Sequence, residues 1–272
     1  MSTYLFSRSF PMKFSLPTFW VAAVATAFSL AGCNDDTADD AQPAVGTLDI
    51  EMEHVVGNKA LTLNATTYTN PVSSEQFTIS KFNYYVSNVK LQKADGTEYA
   101  QPESYYLVQE SDAASKKLHL KDLPAGDYTG ISFVVGVDSA RNMAGAQTGA
   151  LDVNNSMFWN WNTGYIFFKM EGNLLASSSY PAKPFLMHVG GFSKPYNAVR
   201  TVKLTFPSSN LLVRTDHSPE LHLKVDALQV LNGPQPVQLS TFMGVHGPSA
   251  NAVQVANNYA AGMFSVEHIH AN

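Results

Sequence analysis

The sequence predicts an all-β protein, an antiparallel β-sandwich-like domain with one short helix near its C-terminus. Three observations support this fold class. From Gly46 onward, short runs of alternating apolar and polar residues are separated by turn signals about every ten residues. These runs do not alternate with amphipathic helices, as they would in a parallel βαβ fold. Apolar residues at helical spacing are found late in the chain, over residues 249–264.

The predicted strands follow from alternation and from enrichment in aromatic and β-branched residues. In the first strand, Leu48, Ile50, Met52 and His54 alternate with acidic residues, which is typical of a half-buried strand. The next strand, residues 77–91, is rich in Phe, Tyr, Ile and Val. Further strands are predicted over residues 105–108, 127–137, 164–170, 185–189, 199–206 and 221–225.

The composition excludes several classes of protein. Apolar residues make up 45% of the 272 residues and charged residues only 14%, which is incompatible with intrinsic disorder. A net charge of −5 argues against a nucleic-acid partner, whose phosphates require a basic face. Cys33 is the only cysteine, so the chain has neither an intramolecular disulfide nor a cluster of thiolates for a metal.

The N-terminal residues are typical of a bacterial lipoprotein signal. Lys13 precedes an apolar run, residues 14–30, that is too short and too interrupted for a membrane span of about 20 residues. The run ends in Leu-Ala-Gly-Cys33, which resembles a lipobox, in which the cysteine is acylated and becomes the first residue. Translation starts at Met1 or at Met12, which directly precedes Lys13.

These features predict three segments: a signal peptide over residues 1–32, an acidic flexible tether over 33–45, and one β domain over 46–272. Removal of the signal takes away two basic residues, so the net charge becomes −5 − 2 = −7. We expect a lipid-anchored protein on the periplasmic side of a bacterial membrane or at the cell surface, with the outer membrane favoured.

The usual motifs of enzymes are absent from the sequence. It has no Gly-x-Ser-x-Gly elbow, no phosphate-binding glycine-rich loop and no His-Glu-x-x-His. No nucleophile–base pair or carboxylate pair stands out, so we expect a binding protein and not an enzyme. His268 and His270 form a His-x-His pair suited to a metal, but chain termini are usually frayed, which weighs against this site.

Two tryptophans lie close together, and both belong to the predicted mature chain. Trp159 and Trp161 are two residues apart, so in an extended segment they share one face, together with Met157. Such a pair is found in hydrophobic cores and also in platforms that stack against carbohydrate. The spacing alone favours core packing.

Two histidines lie in predicted strands next to methionines. His54 follows Met52 on the same side of the first strand, and His188 directly follows Met187. Imidazole and thioether donors suit copper, especially Cu(I). Two histidines that are simply buried and hydrogen-bonded remain an alternative. The other mature-chain histidines outside the C-terminal pair lie among polar or turn residues and are predicted to be on the surface: His119, His217, His222 and His246.

Four segments resemble the MbnP family of periplasmic copper-binding proteins, which some bacteria encode beside methanobactin genes. They are Phe-Asn-Tyr-Tyr-Val-Ser-Asn-Val-Lys-Leu (82–91), Gly-Val-Asp-Ser-Ala-Arg-Asn (136–142), Met-Phe-Trp-Asn-Trp-Asn-Thr-Gly-Tyr-Ile-Phe-Phe-Lys-Met-Glu-Gly (157–172) and Met-His-Val-Gly (187–190). Their order and spacing match the family, and the Trp-x-Trp-x-x-Gly-Tyr-x-Phe block is the most specific.

The resemblance implies a β-rich protein that binds one copper ion through two histidines and a tryptophan oxidised to kynurenine. The oxidation would be done by a partner, a dihaem peroxidase-like enzyme of the MauG/MbnH type. On this resemblance the copper ligands are His54, His188 and either Trp159 or Trp161, with Trp159 weakly favoured. Possible soft neighbours are Met52, Met157 and Met187.

Two functional hypotheses therefore stand. The first is a lipid-anchored copper-binding protein that serves acquisition, storage or delivery of the metal, as Cu(I) or Cu(II). The second is a surface β-sandwich without metal that binds carbohydrate or protein through Trp159 and Trp161.

Overall fold

The computed structural model describes residues 44–160, 163–206 and 211–270. Strands dominate these residues, with three short α-helices and three short 3-10 segments among them. The strands are β1 (Val45–Val56), β2 (Lys59–Ala60), β3 (Tyr68–Thr69), β4 (Gln76–Lys93), β5 (Glu98–Ala100), β6 (Tyr105–Gln109), β7 (Lys117–Pro124), β8 (Gly126–Val135), β9 (Phe158–Asn160), β10 (Gly164–Leu174), β11 (Lys183–Gly190), β12 (Arg200–Thr205), β13 (Leu211–Val213), β14 (Glu220–Asp226), β15 (Val245–His246) and β16 (Phe264–His270). The helices are α1 (Ser139–Asn142), α2 (Gln229–Asn232) and α3 (Ala250–Gly262), and the 3-10 segments are Ala113–Lys116, Gly149–Leu151 and Val153–Asn155.

The strands form two sheets. The small sheet has the order β16-β14-β1-β2, and β7 pairs with the other part of β1. The large sheet has the order β12-β8-β4-β10-β11-β15, and its remaining members pair with β8, β4 or β10. The all-β sandwich prediction is confirmed. The sheets are not wholly antiparallel, however, because β14 runs parallel to β1 and β15 runs parallel to β11.

The hydrophobic core lies between the two sheets. In β1, Leu48, Ile50, Met52 and His54 are all buried, as their alternation predicts. The ring of His54 packs against Phe82 of β4, with ring centroids 5.0 Å apart, so β1 and the centre of the large sheet face each other. The acidic residues of β1 consequently lie on the outer face of the small sheet.

The predicted C-terminal helix is α3. Ser249 is its N-cap, because its hydroxyl accepts a hydrogen bond from the backbone N–H of Ala252 at 3.2 Å. The apolar residues that predicted the helix are buried: Ala252, Val255, Ala256 and Tyr259. The helix ends at Gly262, and Phe264, which the prediction included, begins strand β16 instead.

Several predictions concern residues that the structure does not describe. Cys33, the signal peptide and most of the tether lie outside the described residues, as does Trp161. The described residues belong to one unit, Gln42–Asn272, and the predicted segment boundaries stay predictions. Within the described ranges, no helix has both the length and the apolar character that a membrane span requires.

Candidate metal centre

The short parallel pair of β11 and β15 brings two histidines together at the edge of the large sheet. His188 pairs with His246 in the register of these strands. Their ring centroids are 4.9 Å apart, and the ring planes meet at 68°. His188 is largely buried, whereas His246 is exposed. The sequence prediction that His246 lies on the surface is correct, but its closeness to His188 was not predicted.

Polar anchors hold the segment that carries His246 against the sheet. The buried carboxylate of Glu75 accepts hydrogen bonds from the backbone N–H groups of Leu239 and Ser240, at 2.8 and 2.7 Å. Burial alone would raise the pKa of Glu75, but these and neighbouring hydrogen bonds outweigh it and lower the pKa. Lys183 of β11 donates to the carbonyl of Ser240 at 2.8 Å. These contacts fix the approach to β15 and thereby the position of His246.

The hydrogen bonding of His188 leaves one of its ring nitrogens available. Nε2 lies 2.7 Å from the carboxylate of Glu171, which accepts only, so Nε2 carries the proton. Burial lowers the pKa of His188 and outweighs the raising effect of Glu171, while Lys169 lowers it further. No described residue forms a hydrogen bond with Nδ1. His188 is therefore a neutral imidazole that can offer the lone pair of Nδ1.

Trp159 lies beside this pair. A Cβ atom placed on Gly190 would come within 2.6 Å of Cζ3 of Trp159, so the six-membered ring of the tryptophan packs directly on that glycine. Gly190 follows His188 by two residues on β11 and shares its face of the strand. Trp159 is half-buried and packs against the core, so it is not a free flat platform.

His54 lies elsewhere, and the structure does not bring it together with His188. Across β10, His188 pairs with Lys169 and Lys169 pairs with Asn83, so these three share one face of the large sheet. Tyr84 follows Asn83 on β4 and faces the opposite way, toward the core. His54 contacts Tyr84 on this core-facing side. The body of the large sheet therefore lies between His54 and His188, the two histidines that were predicted to bind one ion together.

Both ring nitrogens of His54 already have hydrogen-bond partners. Nδ1 lies 2.7 Å from the carboxylate of Glu110, and Nε2 lies 2.8 Å from the hydroxyl of Tyr84. Burial lowers the pKa of His54 and raises that of Tyr84, so a neutral imidazole donates to Glu110 and accepts from the tyrosine. This arrangement is the buried, hydrogen-bonded histidine that the sequence left as the alternative to a copper ligand.

The three methionines proposed as soft neighbours are all buried in the hydrophobic core: Met52, Met157 and Met187. Met187 directly precedes His188 on β11, so the two side chains project to opposite faces of the sheet. A different methionine lies near the histidine pair. Met243, with 91% of its surface exposed, lines the same cleft as His246.

The described residues therefore provide two adjacent imidazoles and a neighbouring tryptophan, but no third histidine or carboxylate positioned as a ligand. The described groups of three or more histidine, cysteine or carboxylate side chains with ligand atoms within 4.8 Å of one another include neither His54 nor His188. Unmodified indole has only a ring N–H donor and cannot complete the set. A metal held by His188 and His246 thus requires a further donor.

Comparisons with known proteins agree with this architecture. The sequence profile of the MbnP family matches residues 45–247. Among solved structures, MbnP from Methylosinus trichosporium superimposes with a TM-score of 0.53 at 16% sequence identity, over 84% of this chain and 99% of that one. No curated protein matches the sequence. At this level of identity the structural match concerns the fold.

Proposed function

The chain belongs to the MbnP family, and from this premise we propose that it is an extracytoplasmic, lipid-anchored copper-binding protein for acquisition, storage or delivery of the metal. Copper is bound, not transformed, so the protein is not itself an enzyme. The anchor is the acylated Cys33, and the acidic tether keeps the domain near the membrane. The outer membrane is the favoured location.

The observation that carries this proposal is the pair of His188 and His246. His188 is neutral, and its Nδ1 lone pair is free of hydrogen bonds to the described residues. Glu171 holds the other nitrogen, which is the usual arrangement of a carboxylate behind a metal-bound histidine. We therefore assign the two imidazole ligands to His188 and His246. His54 takes the structural role that its two hydrogen bonds imply.

The third donor is supplied by an oxidised tryptophan. Opening the indole ring of Trp159 to kynurenine produces an aromatic amine and a ketone, either of which is a usable donor. Trp159 packs on Gly190, two residues from His188 on the same face of β11, so its modified ring lies on the face that carries this histidine. Trp161 is two residues away and stays a candidate for the same modification.

Kynurenine forms when the C2–C3 bond of the indole is cleaved, C3 becomes a ketone and C2 is released as formate by hydrolysis. The modification therefore requires peroxide as the oxidant and oxygen source, and a partner that withdraws electrons from the tryptophan. The partner is a dihaem peroxidase-like enzyme of the MauG/MbnH type, and this protein is its substrate. Trp159 is half-buried, so direct contact between haem and the whole indole ring is prevented. Electron transfer over a distance is the route compatible with that burial.

The donor set suits copper. Imidazole and aromatic nitrogen ligands accommodate Cu(I) and Cu(II). The exposed thioether of Met243 lines the same cleft as His246 and is a soft neighbour outside this ligand set. Among the described residues, the carboxylate at this site is that of Glu171, and its role is to orient His188.

Cu(I) titration against a competing chelator tests this assignment. His188→Ala and His246→Ala should each weaken binding more than about 100-fold, beyond the effect typical of losing an outer partner. His217→Ala is the matched control, because His217 is exposed and its one side-chain partner among the described residues is Asp216. Affinity that is unchanged in both site variants, or lost equally in the control, contradicts the proposal. Peptide mass spectrometry of protein made with its haem partner tests the oxidation; unmodified Trp159 and Trp161 would overturn it.

A further inference from the structure

A second cluster of histidines lies on the outer face of the small sheet, where β14 and β16 pair. His222 of β14 stands opposite His268 of β16, and Glu220 stands opposite His270. An irregularity in the pairing leaves Glu267 without an opposite residue. Without this bulge, Glu267 and not His268 would face His222. The bulge therefore brings the C-terminal His-x-His pair onto the face that carries His222.

The three imidazoles are packed closely enough to share one ion. Their ligand atoms all lie within 4.8 Å of one another. The rings of His222 and His268 stack with centroids 4.1 Å apart, and the Nε2 atoms of His268 and His270 are 3.0 Å apart. Two nitrogens that each lie about 2.0 Å from a tetrahedral ion are separated by about 3.3 Å. The 3.0 Å between the Nε2 atoms of His268 and His270 is close to that value.

His222 is already oriented as a metal ligand. Its Nδ1 lies 2.7 Å from the carboxylate of Glu53, which can only accept, so Nδ1 carries the proton. The lone pair of the imidazole is therefore on Nε2. That atom is buried and has no hydrogen-bond partner among the residues that the structure describes. Buried polar atoms are rarely left unpaired, so an unpartnered Nε2 beside two further imidazoles requires an explanation.

We propose that His222, His268 and His270 form a second metal site, which binds a divalent ion of the zinc type. Glu53 acts as the carboxylate behind the ligand His222 and fixes its tautomer. A carboxylate oxygen of Glu220 lies 3.7 Å from Nε2 of His222 and is within reach as a fourth ligand. Three imidazoles and a carboxylate favour Zn²⁺ over Cu(I).

This site is separate from the proposed copper centre. It lies on the small sheet, whereas His188 and His246 lie on the large one. His268 and His270 also lie beyond residues 45–247, the segment that the MbnP profile matches. The proposal therefore does not depend on the proposed function, and its experiment is done in a background that lacks the copper ligands.

The test is a Zn²⁺ titration by calorimetry of the protein carrying His188→Ala and His246→Ala. We expect one Zn²⁺ per chain in this background. Adding His268→Ala and His270→Ala should weaken binding at least 100-fold; both side chains are exposed, so these changes leave the fold intact. Glu53→Gln should weaken binding about 10- to 100-fold, as is typical of outer partners.

His119→Ala is the matched control. His119 lies on the outer face of the same sheet and pairs with Asp49, outside the cluster. Unchanged affinity in this variant supports the site. The proposal is overturned if the His268/His270 variant keeps its Zn²⁺ affinity, or if His119→Ala loses as much affinity as that variant does. Either result shows scattered surface binding only. Co²⁺ provides a second readout, since a tetrahedral site gives intense visible absorption that the His268/His270 variant should lose.

Discussion

Tyr84→Phe separates the two roles that are open to His54. The hydroxyl of Tyr84 is the hydrogen-bond donor to Nε2 of His54, at 2.8 Å, and both residues are almost fully buried. Replacing the tyrosine by phenylalanine removes only that hydroxyl and leaves Nε2 as a buried acceptor without a partner. The change acts on the hydrogen bonding of His54 and leaves its position in β1 intact.

The expected loss of stability follows from the fact that Nε2 of His54 stays buried but no longer accepts a hydrogen bond. A buried acceptor that loses its partner destabilises a fold by about 1–3 kcal/mol. For a domain of this size, each kcal/mol lowers the melting temperature by about 2–4 °C, so a loss of about 2 kcal/mol corresponds to about 4–8 °C. If His54 is structural, Cu(I) affinity is unaffected, since His188 and His246 lie on the other side of the large sheet.

Differential scanning calorimetry and Cu(I) competition titration measure both quantities on the same samples. Tyr99→Phe is the matched control, because the hydroxyl of Tyr99 forms an exposed hydrogen bond, at 3.3 Å to the carbonyl of Asp122. The control should melt within about 2 °C of the wild type. If Tyr84→Phe keeps the wild-type melting temperature but changes Cu(I) affinity, the structural role assigned to His54 is refuted.

Three further predictions concern the neighbourhood of the two histidines. Gly190→Ala should destabilise the protein by about 1–3 kcal/mol in urea unfolding and change the fluorescence of Trp159, because a Cβ at this position meets backbone as well as the indole. Wild-type stability together with wild-type fluorescence would contradict the packing of Trp159 on Gly190. Glu171→Gln should weaken Cu(I) binding about 10- to 100-fold in the chelator assay, because a neutral amide replaces the carboxylate that accepts the hydrogen bond from His188. An unchanged affinity would exclude that role of Glu171. Burial holds the pKa of His54 below its ordinary 6.5, so as the pH falls the unfolded chain binds this proton before the folded protein does. The contribution of His54 to the free energy of unfolding is therefore complete above pH 6.5 and decreases below it. In urea unfolding at pH 7.5 and 5.5, His54→Gln should show a smaller loss of stability at the lower pH than the wild type. An equally steep fall in the variant would contradict the assignment.

Local patterns predicted most of the long strands but not the short ones. The alternation from Leu48 to His54 marks β1 because one face of that strand is buried and the other is solvated. β7 was not predicted, although Leu118 and Leu120 alternate with His119, so the same signal was present there. The parallel pairings of β1 with β14 and of β11 with β15 join segments far apart in sequence, and no local pattern encodes such partners.

The candidate sites likewise depend on pairings between distant strands, which local sequence patterns do not encode. His188 and Trp159 were identified because their residue types and the MbnP resemblance point to copper. His246 was overlooked because its partner is set by the parallel register of β15 with β11, and its own surroundings are a turn. The cluster of His222 with the terminal histidines also depends on long-range pairing, and the terminus proves to be strand β16 over Phe264–His270 instead of a frayed end.

The most direct test of the copper site is X-ray absorption at the copper edge, on Cu(I)-loaded protein made with its haem partner. The wild type should show two imidazole ligands and one further light-atom ligand from the oxidised tryptophan. His188→Ala should show a single imidazole, from His246. Two imidazoles in both samples would mean that copper is held elsewhere and would contradict the account.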